Sequence, residues 1–477
     1  MTDHIILTPE IQQLITHEQA WHYLIVPKNS GKDRLAIYAD EEKWNDGIAE
    51  ELEMLTGKRI DTELTDSARI KNTLTRYYLR KEKRAEKPSA LSMKQERDFL
   101  LTLIAEAKEL RSSDIHIECY EERSRVRIRI DGLMVERYSI SKADYPSLVN
   151  KIKIRANLDI AEKRLPQDGR IFFQEEGMRF DIRVSVLPVM NGEKIVLRLL
   201  GSDAAHLDVR SLGFSEKQLN DYLEGTKKPH GILLISGPTG SGKTTSLYAT
   251  LKLLNKETTN ILTIEDPIEY TLEGINQVQL KESIGLTFAA ALRTFLRQDP
   301  DVIMLGEIRD AETAQMAVRA AMTGHLVLST IHTNSAWGTI ARLTDMGVPP
   351  FLIASTLNTS VAQRLVRMLC PHCKREEKFT MDLIPSSSVI PFAIEKHFIA
   401  IGCEDCYFTG YKGRRAIYEV IPNDHEVAEK IRSIDHEIAS LLKERNIRTL
   451  SDNAFELLRS GESSMEELYS VLLNNYA

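Results

Sequence analysis

The sequence predicts an α/β protein built on a parallel sheet, and three observations carry that prediction. From about residue 206, the short apolar runs ILLIS, NILTIE, DVIML and HLVLST alternate with helical stretches. Uninterrupted apolar runs of this length suit strands buried on both faces, which is the parallel-sheet case. GPTGSGKTT (237–245) lies directly between ILLIS and SLYATLKLL, giving a strand, a glycine-rich loop and a helix in sequence. Two CxxC pairs further on, CPHC (370–373) and the CEDC of GCEDC (402–406), mark a small pinned subdomain inside the same region.

Composition fits this class. The chain has 477 residues, is 42% hydrophobic and 27% charged, and carries a net charge of -7, enough for about three domains with real cores. The acidic balance argues against a protein that coats DNA, since non-specific affinity for nucleic acid comes from neutralised phosphates. MTDHIILTPE has no basic region followed by an apolar run, so no secretory signal is read, and no window has the length of a membrane-spanning helix. Five cysteines, four of them in CxxC pairs, point to a reduced, cytosolic setting. Cys119, in the alternating SDIHIECY, reads as a half-buried strand residue.

The elements follow in order. Residues 1–80 read as a small N-terminal α/β domain: Thr8-Pro9-Glu10 starts a helix, RLAIYA is a strand, and KWNDGIAEELEMLTGKRI is a helix with a glycine stop. Residues 81–92, within RKEKRAEKPSALS, read as a linker. In 93–205, Phe99, Leu100, Leu103, Ile104 and Ala107 recur at helical spacing, and RVRIRIDG, FDIRVSVLP and KIVLRLL alternate at period two. That stretch is an α+β domain with a half-exposed sheet and an arginine-rich face. Residues 206–477 are the α/β domain, with the cysteine subdomain at 368–415 and helices over the last 55 residues.

GPTGSGKTT fits the phosphate-binding pattern GxxxxGK[ST] in full. Gly237, Pro238, Thr239, Gly240, Ser241, Gly242, Lys243, Thr244 and Thr245 are its candidates. The glycines let backbone N–H groups turn inward around phosphate oxygens, and the helix N-terminus adds positive potential. Lys243 would neutralise the terminal phosphates, and Thr244 would place its hydroxyl on Mg²⁺. DPDVIMLGEIRD (299–310) ends a strand at Glu307, which either holds Mg²⁺ through water or polarises an attacking water. TIEDPIEY (263–270) gathers Glu265, Asp266 and Glu269 on a turn forced by Pro267. Glu269 and Glu307 compete for the base, and spacing does not decide between them. TGHLVLSTIHTN (323–334) puts His325 and His332 around a strand, where an imidazole can meet the γ-phosphate. Cys370, Cys373, Cys403 and Cys406 suit a closed, structural tetrahedral Zn²⁺, with redox thiols as the alternative and His372 as a spectator.

Taken in order, GPTGSGKTT, TIEDPIEY, GLTFAAALRTFLRQDPDVIMLGEIRD and TGHLVLSTIHTN resemble the traffic ATPases of type II secretion and type IV pilus assembly. SSDIHIE, RIRIDG, RLPQDGR, FDIRVSVLP and TGYKGRRAIYEV extend the resemblance over 93–477, strongly, and over 1–80 weakly. It implies a RecA-like P-loop core preceded by a PAS-like α+β domain, and a homohexamer that hydrolyses ATP. Arginines of the sheet domain would reach the phosphates. Arg170, Arg183 and Arg198 are the candidates, with Arg127 and Arg129 behind them. The implied partners are an inner-membrane platform protein and the cytoplasmic domain of a bitopic membrane protein docked on residues 1–80. The implied location is cytoplasmic, peripheral to the inner membrane. Type II secretion is the first expectation and pilus assembly the second. The tetracysteine element sets the chain apart from retraction motors of the family. The RLG and LxxAL pattern of larger N-terminal regions is not found, so no cyclic-di-GMP binding is expected. Two rivals stand outside this reading: a nucleic-acid translocase sharing the fold, and a scaffold with a degenerate nucleotide site. The stretch IPSSSVIPF between the cysteine pairs is expected to project as a stiff knob.

Overall fold

The computed structural model describes residues 5, 7, 11, 14–31, 34–77, 99–175, 178–199, 208–385, 390–433 and 438–473. The expected helix start at 8–10, the expected linker at 81–92 and the domain boundary near 205 lie outside them. The chain divides into two compact units, residues 1–89 and 90–477.

In the first unit, α1 (His17–His22), α2 (Asp46–Thr56) and α3 (Ser67–Tyr77) accompany a three-stranded sheet of β1 (Ile25–Ser30), β2 (Arg34–Asp40) and β3 (Arg59–Thr65). β1 pairs antiparallel and β3 parallel with β2. The glycine stop read in the sequence is real: Gly57 has φ 67 and its N–H bonds back to Glu53 O. Ile25, Val26, Ile37, Leu52, Ile70 and Leu74 are fully buried.

The second unit begins with α4 (Phe99–Glu109), β4 (Asp114–Cys119), β5 (Ser124–Ile130), β6 (Leu133–Ile140), α5 (Tyr145–Arg155), β7 (Gln167–Glu175), β8 (Met178–Val189) and β9 (Gly192–Leu199). The six strands form an antiparallel sheet in the order β6-β5-β4-β9-β8-β7. Period two decides its faces: Ile115, Ile117, Val126 and Ile128 are fully buried in a core shared with α4 and α5, whereas Arg125, Arg127 and Arg129 take the other side.

The α/β part contains α6 (Glu216–Lys227), β10 (Gly231–Ser236), α7 (Lys243–Leu254), β11 (Ile261–Glu265), β12 (Asn276–Gln279), α8 (Phe288–Phe295), β13 (Val302–Leu305), α9 (Ala311–Met322), β14 (Leu326–Ile331), α10 (Gly338–Asp345), α11 (Pro350–Thr356) and β15 (Leu357–Leu369). The hairpin β16 (Arg375–Lys378) and β17 (Lys396–Ile399) follows, then β18 (Tyr411–Pro422), α12 (His425–Arg432), α13 (Ala439–Glu444), α14 (Leu450–Arg459) and α15 (Met465–Leu472). The main sheet runs β12-β11-β13-β14-β10-β15-β18, parallel except for the antiparallel β15–β18 pair. All residues of β10, β11, β13 and β14 are buried, as their uninterrupted apolar runs require.

The segment between the cysteine pairs corrects the expectation of a projecting knob. Phe379 and Ile384 join the main core, with Ile390, Phe392 and Ile394 packed against it. Lys374 Nζ donates to Gly461 O at 2.6 Å, and Arg459 lies over the Phe392 ring at 4.2 Å. Five large apolar side chains thus hold this short segment on the main core; residues 386–389 lie outside the described residues.

Candidate nucleotide site and cysteine cluster

The loop 237–242 leaves the carboxyl end of β10 and runs into α7. Gly237, Gly240 and Gly242 have φ of 148°, 80° and 87°, values that side chains with a Cβ rarely adopt. Space adds a second constraint at Gly237, where a Cβ would lie 2.5 Å from Gln363 O and 2.7 Å from Ser241 Oγ. Gln363, on β15, braces the loop from below. Its Nε2 donates to Ser241 O at 2.8 Å and its Oε1 accepts from Ser246 Oγ at 2.9 Å. Ser241 Oγ is buried with no protein partner. Lys243 Nζ donates to the Gly237 and Pro238 carbonyls at 2.8 and 3.0 Å. Burial pulls its ammonium below the ordinary value, with Glu307 working against that. Turned-in amides, a helix N-terminus, a lysine and an unpartnered hydroxyl make a donor set suited to phosphate oxygens.

This loop opens on a cleft of about 1400 Å³ that Glu265, Asp266, Glu269, Glu307 and His332 also line. Glu307 follows β13 and has both oxygens engaged: Oε1 with Arg309 Nη2 at 2.5 Å, Oε2 with His332 Nε2 at 3.4 Å. Burial alone would raise its carboxyl, but Arg309, His332 and Lys243 outweigh that and hold it below the ordinary value. Glu269 is 39% exposed at its side chain, and its Oε2 is 3.7 Å from Arg183 Nη1. Arg183, from β8 of the antiparallel sheet, also donates to Ile268 O, so one arginine of the sheet domain holds the turn that carries Glu269. Asp266 is 3.7 Å from Arg309.

Two expected residues are placed otherwise. Glu265 is not on the turn. It ends β11, is 3% exposed, and bonds to Thr263, Tyr248 and Gln277. His325 precedes β14, whereas the P-loop follows the parallel β10. A six-residue strand of about 20 Å therefore separates His325 from the site, and its Nδ1 is within bonding distance of Ala320 O at 2.9 Å. His332, at the other end of that strand, does face the cleft.

The remaining arginines divide. Arg198 lines the cleft, 61% exposed at its side chain, with Nε 3.0 Å from Asp114. Arg170 is exposed and lies opposite Arg183 in the β7–β8 register. Arg127 is committed to Glu118 at 2.8 Å, and Arg129 pairs with Asp114 at 3.4 Å and donates to Gly132 O at 2.8 Å. Sequence reasoning missed Gln363, Tyr248 and Arg309, and also Asp131, whose Oδ2 accepts the Gly413 N–H at 2.6 Å and whose Oδ1 is 3.2 Å from Arg414. Only Arg309, two residues past Glu307, carried a local signal.

Cys370, Cys373, Cys403 and Cys406 place their sulfurs within 4.8 Å of one another. Cys370–Cys403 and Cys373–Cys406 are 3.8 Å apart, and Cys403–Cys406 is 3.7 Å. Tetrahedral Zn²⁺ with bonds of about 2.3 Å demands sulfurs about 3.8 Å apart, whereas a disulfide demands about 2.05 Å. Backbone N–H groups of Gly402, Cys403 and Gly410 point at the sulfurs of Cys373 and Cys406 at 3.1–3.3 Å, as thiolate ligands require. The donor set fits zinc. His372 stands outside it, 61% exposed, and Cys119 lies half-buried in β4.

Residues 93–470 match a family model described as "Type II/IV secretion system protein". The type IV pilus assembly ATPase PilB of Myxococcus xanthus is 41% identical, over 96% of this chain and 86% of its own. The type II secretion system protein E of Pseudomonas aeruginosa is 48% identical, over 80% of this chain and 77% of its own. Among solved structures, the pilus retraction motor PilT with bound ADP superposes with a TM-score of 0.54 at 27% identity, covering 78% of this chain and 96% of that one.

Proposed function

The chain belongs to the Type II/IV secretion system protein family and is an ATPase of that family; from this premise we propose that it is the hexameric motor that builds a pilin-like filament for type II secretion. The observation that carries the chemistry is one cleft lined by the P-loop, Glu307 and Glu269, with Arg183 of the sheet domain bonded to the Glu269 turn.

The roles follow from what each group has left to offer. Amides of 237–242 and Lys243 Nζ bind the β- and γ-phosphates of ATP. The Thr244 hydroxyl, with Glu307 through water, would hold Mg²⁺, which when bound offsets the phosphate charge. Glu307 lines the cleft close enough to Lys243 to feel its charge, and we assign that carboxylate the metal side. Glu269 is the carboxylate with room for a water, and we assign it the water-aligning role. Arg183, with Arg198 beyond it, stabilises charge that develops on the transferred phosphoryl group. His332 bridges Glu307 to the γ-phosphate. The four cysteines would hold Zn²⁺ as a closed crosslink of structure. Thiols of a redox pair and a nucleic-acid translocase are the readings that this replaces.

We place the motor at the cytoplasmic face of the inner membrane, recruited by partners; no helix among the described residues is long and apolar enough to cross a membrane. The platform protein and the cytoplasmic domain of a bitopic protein are the partners we assign, the latter docking on residues 1–80. Type IV pilus assembly is the second reading, favoured by the pilus assembly relative's match over 96% of the chain, where the type II secretion relative covers 80%. Pull-down with the cytoplasmic domain of each system's bitopic protein separates the two. Mg²⁺-dependent ATP hydrolysis, stimulated by that domain and not by DNA, supports the motor reading. Stimulation by DNA would overturn it.

A further inference from the structure

Tyr248 lies in α7 four residues after Thr244, on the same helix face, and is fully buried. Its phenol O–H donates to Glu265. The same oxygen accepts the backbone N–H of Glu269 at 3.3 Å and lies 3.4 Å from Gln277 Nε2. The other Glu265 oxygen accepts from Thr263 Oγ1 at 2.6 Å and Gln277 Nε2 at 3.1 Å. Both oxygens of Glu265 are therefore bonded to protein. Glu265 is 3% exposed, where Glu307 keeps 17% of its side chain open to the cleft; it turns inward and holds a phenol.

We propose that Tyr248 is a positioning residue for ATP hydrolysis: anchored by Glu265, its hydroxyl fixes the turn bearing Glu269 against the helix that bears Lys243 and Thr244. The inference rests on the water-aligning role given to Glu269. Arg183 grips the same turn through the Ile268 carbonyl, so the turn is held by the sheet domain on one side and by the P-loop helix on the other. Burial, with Glu265 beside it, pushes the Tyr248 phenol well above its ordinary value, so it remains an O–H donor throughout the working range. A phenylalanine would keep the ring's edge-on contact with Tyr270, whose centroid is 4.6 Å away. The hydroxyl, not the ring, is what the turn depends on.

The test uses the full chain with MgATP. Tyr248→Phe is expected to lower kcat about 10- to 100-fold, the cost of a reacting group displaced by about 1 Å, with KM and equilibrium nucleotide affinity changed by less than about twofold. In a Glu269→Gln background the same substitution is expected to cost less than about twofold, because the two act through one group. An unchanged kcat, or an equal loss in both backgrounds, would overturn the proposal as a general packing effect. Wild-type turnover by Glu269→Gln alone would instead overturn the reading of Glu269, and this inference with it. If Tyr248→Phe does not fold, Glu265→Gln carries the same comparison: a kcat loss at constant KM supports the anchor, and an unchanged kcat refutes it.

Discussion

Three glutamates of the cleft are told apart by what their neighbours leave them. Glu307 is clasped by Arg309 and His332, Glu265 is consumed by Tyr248, Thr263 and Gln277, and Glu269 is the most exposed of the three, beside Arg183. Lys243→Ala is expected to abolish measurable nucleotide binding, checked by equilibrium titration with a fluorescent ATP analogue. Away from the cleft, burial pushes the Glu118 carboxyl up, but Arg127, Arg125 and Lys194 bring it down to about 2 from an ordinary 4.5. A carboxyl depressed in the folded state contributes stability that is complete above its unfolded value and is lost as pH falls through the folded one. Glu118→Gln should therefore melt below wild type at neutral pH, with the gap closing as pH drops from 4.5 towards about 2 in a thermal-melt series. At this scale the sequence was legible where chemistry is contiguous. GPTGSGKTT named its own residues, and Glu307 declared itself at a strand end. It was not legible where function depends on which end of a strand a residue takes. His325 and His332 flank one strand, and only the parallel register with β10 tells them apart.

Among the elements, β15 joins the two chemistries. Gln363 braces the P-loop, and the same strand runs on to Leu369 and delivers Cys370 to the cysteine cluster, while antiparallel β18 begins at Tyr411, just past Cys406. Cys403→Ser is expected to lose bound zinc in a metal assay and to melt several degrees lower, the scale of a lost structural metal ligand in a domain of this size. Protein purified without chelators yet free of zinc would contradict the assignment. Gly237→Ala meets both a φ of 148° and a carbonyl 2.5 Å from the new methyl group. At about 1–3 kcal/mol of backbone strain it should weaken nucleotide binding tenfold or more by titration. The four central strands β10, β11, β13 and β14 could be read from apolar runs alone, since burial on both faces leaves no other pattern; β12, β15 and β18 carry no such run and could not. The packed segment between the cysteine pairs could not. Its phenylalanines and isoleucines are spaced irregularly around prolines and serines, and they acquire meaning only against helices that lie some sixty residues later.

For the whole molecule, the central point is that residues 99–199 and 208–473 build one site. Arg183 reaches the Glu269 turn, and Asp131 reaches Gly413 and Arg414 beside the cysteine cluster. The sequence showed an arginine-rich face and put Arg183 among three leading candidates, but not which of them does this: Arg183 lies between Arg170 and Arg198 in the sheet register, and its partners Ile268 and Glu269 are some 85 residues away in the chain. Static light scattering in the presence of nucleotide should give a mass near six times 54.2 kDa. The most direct test of the shared site is the steady-state ATP turnover of Arg183→Ala set beside its nucleotide affinity. Loss of a transition-state arginine costs about 10³-fold in kcat or more, with nucleotide affinity retained, and that is the expected result. Turnover at the wild-type rate would show that the sheet domain supplies nothing to the chemistry.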